Sequence, residues 1–181
     1  MENYKLIHSE KNFDVVEVEG LVGIKSKSMT VAVMPYTVDD KGLIENVGFL
    51  KEFNPFRIGG FADTLITGTV ETEDENLLDT VIRELKEEGG IEVPNEQKSR
   101  VIFLGAVYPY KDSDRMIPIF AVDVTSLAMA EPEGDGSKKE SQSEFLMVPV
   151  SSAINTSESL ALVVFLRLFN FVFQKTMTNT K

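Results

Sequence analysis

The spacing of apolar residues changes sharply along this chain, and that change limits what it can fold into. Before Asp74 the apolar residues fall in short runs between turn residues. Segments 13–18, 22–24 and 30–36 are rich in β-branched and aromatic side chains, the composition of strands. Asp39-Asp40-Lys41-Gly42 is a turn by composition, 47–53 reads as the returning strand of a hairpin, and Asn54-Pro55 closes it. Segment 58–61 reads as loop, leading into a strand over 64–67. From Asp74 the period lengthens to about 3.6, because Leu77, Leu78, Val81, Ile82 and Leu85 recur on one side of a helix. Asp74 is expected to cap that helix and Gly89-Gly90 to stop it. Strand patterns return over 101–108, 117–124 and 145–150, and the polar stretch 131–144 between them reads as a surface loop. Asn155 or Thr156 can cap a final helix running from Ser157 to about Gln174. Strands, a helix, strands and a helix predict an α+β fold, a sandwich with helices on the faces of a mixed sheet.

Length and charge narrow the functions available. The 181 residues fit one domain, and 43% hydrophobic residues can build a sizeable core. A net charge of −11 argues against a protein that grips nucleic-acid backbone, so duplex nucleic acid is not an expected partner. A phosphate-bearing substrate would instead need a local reversal of the field, and a bound divalent cation is the simplest way to obtain one. The chain has no Cys, and His8 is its single His. Thiolate nucleophiles, Cys-based zinc sites and Ser-His-Asp chemistry are thereby disfavoured. Segment 1–19 is mixed and charged, unlike a signal peptide, so a cytoplasmic location is expected. The longest apolar run, 160–173, contains Arg167 and Asn170 and is shorter than the ~18–20 residues a bilayer requires. It reads as a buried or interface helix, not a membrane span.

The helix beginning after Asp74 carries the most unusual pattern. Glu84, Glu87 and Glu88 fall within roughly 100° of arc beside the apolar stripe. Glu84 and Glu88, four residues apart, repel by ~0.2–0.5 kcal/mol, and each carboxylate near the C-terminal turn opposes the helix dipole by ~0.3–1 kcal/mol. Three acids on one edge are unfavourable unless they do something, although a solvated acidic face beside Arg83 and Lys86 is the plainer explanation. A hard divalent cation converts the penalty into a site, since Mg²⁺ takes one or two carboxylates together with waters and phosphate oxygens.

The order of these residues resembles the Nudix box, Gly-x5-Glu-x7-Arg-Glu-hydrophobic-x-Glu-Glu-x-Gly-hydrophobic. Arg83, Glu84, Leu85, Glu87, Glu88, Gly90 and Ile91 match its second half, and Glu75 stands eight residues before Arg83. Upstream the match departs, because six residues separate Gly68 from Glu75 where the box has five. Either the loop carries an extra residue, or Asp74 stands in for the box Glu. The segment around Phe53 and Arg57, and 64–68 after it, is similar to the corresponding stretch of ADP-ribose pyrophosphatases, with Thr64 and Ile66 in place of residues those enzymes use. Tyr108-Pro109 has counterparts in that subfamily and in dinucleoside-polyphosphate hydrolases alike.

The resemblance implies a Nudix-type α/β/α sandwich with a mixed sheet, comprising one domain over 1–181: an N-terminal β-rich extension over 1–45, the box over 68–91 and a C-terminal helix over 156–175. It implies Mg²⁺- or Mn²⁺-dependent hydrolysis of the diphosphate bond in a nucleoside diphosphate linked to another group, with ADP-ribose or a sugar nucleotide foremost. Glu84, Glu87, Glu88 and Gly68 would be the metal positions and Arg83 would orient the carboxylates. The general base would come from the polar loop, Glu140 first and Glu144 second. Arg57, Phe53, Gly68 and Tyr108 would meet the substrate. Homodimers are common in the resembling subfamily, and the apolar final helix suits one. Two other readings stay open: a Nudix-fold nucleotide-binding module without catalysis, and a dinucleoside-polyphosphate hydrolase. An acidic Ca²⁺-binding protein is a weaker third, because no EF-hand spacing is present.

Overall fold

A computed structural model describes residues 4–132 and 143–179. The first three strands, β1 (Lys5–Ser9), β2 (Phe13–Val18) and β3 (Leu21–Ser26), form an antiparallel three-stranded sheet of their own. Strand β1 has no clear alternation and is exposed throughout, which is why the sequence pattern does not reveal it. The expected β-rich extension over 1–45 therefore divides. Only β1 to β3 stand apart, whereas β4 (Thr30–Val38) runs through the central sheet.

That sheet has seven strands. Its spine is β10 (Glu144–Pro149), β5 (Ile44–Phe53), β4, β9 (Ile117–Asp123) and β8 (Val101–Val107), while β6 (Phe61–Thr64) pairs with β5 and β7 (Ile66–Thr69) with β4. The β4–β9 pairing is parallel and the others are antiparallel, so the sheet is mixed. The strand expected over 64–67 is in fact the junction of two, β6 ending at Thr64 and β7 starting at Ile66, and 58–61 is loop only until Phe61. Leu65 at the break turns its side chain into the core on the opposite side from Ile66.

Alternation along β4 assigns the faces. Val31 and Val33 pack with Ile66, Val81, Leu85, Phe120 and Val122 against helix α1 (Leu77–Gly89). Ala32, Met34 and Tyr36 pack with Ile119, Phe165 and Leu168 against helix α3 (Ser159–Asn179). One helix on each face gives the α/β/α sandwich. A short helix, α2 (Val150–Ala153), links β10 to α3, and a 3₁₀ turn (Asn95–Arg100) precedes β8.

Helix α3 is longer than its apolar run, with 21 residues, and is long and apolar enough by composition to cross a membrane. Its Ala161, Val164, Phe165, Leu168 and Val172 are instead buried against the sheet. Its one Arg is accommodated by a bulge in β8, where Gly105 adopts φ +96° and Arg167 Nη1 donates to the Leu104 and Ala106 carbonyls at 3.0 and 3.3 Å.

Candidate active site

Helix α1 is set by both of its ends. Asn76, not Asp74, is the N-cap, its side chain accepting from the backbone N–H groups of Leu78 and Asp79. Gly90 ends the helix at φ +61°, ψ +23°, and a Cβ there would meet the Ala130 carbonyl oxygen at 2.0 Å, so only glycine fits. With Val81 and Leu85 fully buried, the helix phase is fixed and Glu84 is carried to the edge of the buried stripe beneath β7. Gly68 makes room for it. A Cβ on Gly68 would lie 2.1 Å from Glu84 Oε1 and Cγ, so the strand and this carboxylate share space that any side chain would occupy.

Glu84 is 7% exposed, and burial pushes its pKa up to about 7 despite the opposing Arg83 guanidinium; Glu87 and Glu71 push in the same direction as burial. Arg83 is the hub of the cluster. Its Nη1 lies 2.7 Å from Glu84 Oε1 and 3.0 Å from Glu87 Oε2, and its Nη2 donates to the Thr69 carbonyl at 2.9 Å and to Asp74 Oδ2 at 3.3 Å. Glu71 Oε1 stands 3.9 Å from Nη1. Burial lowers and these acids raise the Arg83 pKa, with a net rise, so it is a permanent cation. Glu88, one residue on, accepts from the Thr67 backbone N–H at 3.3 Å.

Asp74 is the second anchor. Burial raises its pKa, but hydrogen bonds from the Glu71 backbone N–H, Arg83 and the Thr80 hydroxyl more than offset this, so its carboxyl is held below the usual range and ionised. Counting five intervening residues from Gly68 lands on Asp74, and that count, available in the sequence, points to the residue that Arg83 engages. Glu75 is exposed. Glu71 and Thr69 also belong to the cluster, although neither falls at a fixed position of the motif.

The crowding of acids that the helical spacing predicts is answered in part from within, because Arg83 stands against Glu84 and Glu87. Among the described residues no three acidic or imidazole side chains converge into a closed cation cage. The donor chemistry nevertheless fits a hard divalent cation, since every donor at this edge is an oxygen and the strand facing Glu84 is opened by glycine. An open site using one or two carboxylates matches the habit of Mg²⁺ better than the many-oxygen cage of Ca²⁺.

The remaining expected residues are dispersed. Arg57 pairs with Glu158 just before α3. Phe53 packs edge-to-face on Phe61 across the β5–β6 pair, with centroids 5.9 Å apart. Tyr108 is exposed beyond the end of β8. Glu144 opens β10 opposite Lys51, and alternation puts it on the face of Val148, away from α1. Glu140 lies outside the described residues.

No protein-family model matches the chain, and no curated protein does. Solved structures do resemble it. A crystal structure of an ADP compounds hydrolase superposes with a TM-score of 0.65 over 96% of this chain and 93% of that chain, at 15% identity. The likeness is one of fold.

Proposed function

We propose that this chain is a Nudix-type hydrolase that cleaves the diphosphate bond of a nucleoside diphosphate linked to another group, with Mg²⁺ or Mn²⁺ held by Glu84, Glu87 and Glu88 beside Gly68. The observation that carries this reading is the fit of a buried carboxylate, Glu84, into space that Gly68 leaves open, with Glu87 and Glu88 on the same edge. Such a cation, when bound, neutralises a diphosphate and lowers the pKa of a water bound to it. The chain's own part is positional. Arg83 ties Glu84 and Glu87 to Asp74 and the Thr69 carbonyl, and the Thr67 N–H orients Glu88. Hydrolysis adds water across one phosphoanhydride bond, giving two phosphate esters, and Glu140 is the first choice to accept the water's proton.

An ADP-linked substrate such as ADP-ribose is the preferred class, in keeping with the ADP compounds hydrolase that shares the fold. Ile66 is fully buried under α1, so its side chain lies out of that substrate's reach. Association into a homodimer and a cytoplasmic location belong to the same reading. A second reading, a nucleotide-binding module without catalysis, is favoured by one feature: Arg83 stands between Glu84 and Glu87 and relieves part of their repulsion without a metal ion.

Incubation with Mg²⁺ or Mn²⁺ and a panel of ADP-ribose, sugar nucleotides, dinucleoside polyphosphates and nucleoside triphosphates separates the two. The hydrolase releases a nucleoside monophosphate, EDTA stops it, and Glu88→Gln lowers kcat by about 10- to 100-fold or more. Full activity in that variant would remove Glu88 from the site. Tight binding with no product from any compound would leave the binding module.

A further inference from the structure

The N-terminal sheet meets the rest of the molecule through the segment between β8 and β9. Ile24 N–H donates to the Asp112 carbonyl at 2.8 Å, Asp114 N–H donates to the Ile24 carbonyl at 3.2 Å, and Ser26 N–H donates to Asp114 Oδ1 at 2.7 Å. Where they meet, a cavity of about 370 Å³ opens between Phe13 and Ser26 on one side and Tyr110, Ser113 and Arg115 on the other, and its floor reaches Thr69 of β7. Thr69 is the residue whose carbonyl receives Arg83. One residue therefore joins this cavity to the acidic edge.

Arg115 is anomalous. It is half-buried, yet no carboxylate among the described residues pairs with it; Nη2 donates to the Thr30 hydroxyl and Nε has no acceptor. Arg83, by contrast, stands among four acids, and Arg57 pairs with Glu158. The nearest acid in sequence, Asp114, is engaged by the Ser26 N–H. A partly desolvated cation without a partner, in a chain of net charge −11, is costly unless an anion joins it. Guanidinium suits a phosphate oxygen, and the hydroxyls of Ser113 and Thr69 add further donors. Phe13 and Tyr110, 37% and 65% exposed, present rings that a flat base can cover.

We propose that this cavity is a nucleoside-phosphate subsite, with Arg115 facing an anionic oxygen and Phe13 and Tyr110 facing the base, so that a diphosphate substrate extends past Thr69 to the acidic edge. The volume lies near the lower end of the ~300–1,000 Å³ range of ligand pockets, enough for one half of such a substrate and not the whole. The direction of the substrate rests on the hydrolase reading, whereas the recognition of a nucleoside phosphate does not.

The test is titration calorimetry with ADP in EDTA, which removes any cation contribution at the acidic edge. Wild type binds, Arg115→Ala weakens binding at least tenfold, and Tyr110→Ala, at a largely exposed ring whose loss leaves the core intact, weakens it several-fold. With Mg²⁺ and an ADP-linked substrate, both variants raise KM and leave kcat within about threefold. No ADP binding by wild type, or unchanged affinity in both folded variants, overturns the subsite. Binding that depends on Arg115 without turnover of any diphosphate compound keeps the subsite and removes the hydrolase. Turnover with KM unaltered in both variants does the reverse.

Discussion

Glu84 shows how burial sets the protonation of one carboxyl group and, through it, the stability of the fold. Burial raises its pKa from about 4.5 to about 7, so between these values the folded protein keeps a proton that the unfolded chain has released. Because the native state then binds more protons, stability falls as pH rises through that window and is level on either side. In EDTA, urea unfolding of the wild type should therefore show a decline of up to ~3 kcal/mol between about pH 4.5 and about pH 7 that Glu84→Gln lacks. Parallel pH curves for the two proteins would contradict this. Saturating Mg²⁺ with a nucleotide should flatten the wild-type curve, since ligation holds the carboxylate ionised. Gly68 carries the matching constraint from the strand, its missing side chain being the space that Glu84 occupies.

At the scale of elements, the loop entering α1 does more than connect. Asp74 closes it onto the Glu71 backbone, Thr80 and Arg83, while Asn76 caps the helix two residues later. Asp74→Asn should lower stability by ~2 kcal/mol, the value of a hydrogen-bonded charge largely removed from water, and should loosen Arg83. Glu75→Gln should stay within ~0.5 kcal/mol of wild type, as surface substitutions do. Thermal or urea unfolding of both variants decides the matter, and equal effects would show that the motif's acid is shared. The helix itself was legible from its 3.6 period and its Gly stop, because burying one face imposes that spacing on the residues. The choice between Asp74 and Glu75 was not, because two adjacent acids both satisfy a count from one end and only the position of Arg83 selects between them.

For the whole molecule, the outer side of α3 leaves a row of apolar side chains uncovered. Leu166, Phe169 and Phe173 are about half exposed, and Phe169 and Phe173 stack with centroids 6.3 Å apart. Exposed apolar surface of this kind is characteristic of an interface, and a homodimer across α3 is the expected form. Light scattering should give twice the 20.2 kDa chain mass, and a Phe169→Glu, Phe173→Glu double variant should halve it. A wild-type mass of one chain would end the dimer proposal. The surface Glu substitutions leave Val164, Phe165 and Leu168 seated on the sheet.

The residue order by itself determined the α+β class, the two principal helices, most of the central strands and the acidic edge of α1. Those features follow from local periodicity and from glycine, which act over a few residues. Only the tertiary structure decided that β1 to β3 form a separate sheet, that Asp74 and Glu71 join Arg83, that Glu144 faces away from α1, and that Ser26 and Asp114, 88 positions apart, close a cavity beside Arg115. Each of these depends on long-range pairing, whose register is set by the burial of both partners together and leaves no period in either segment alone.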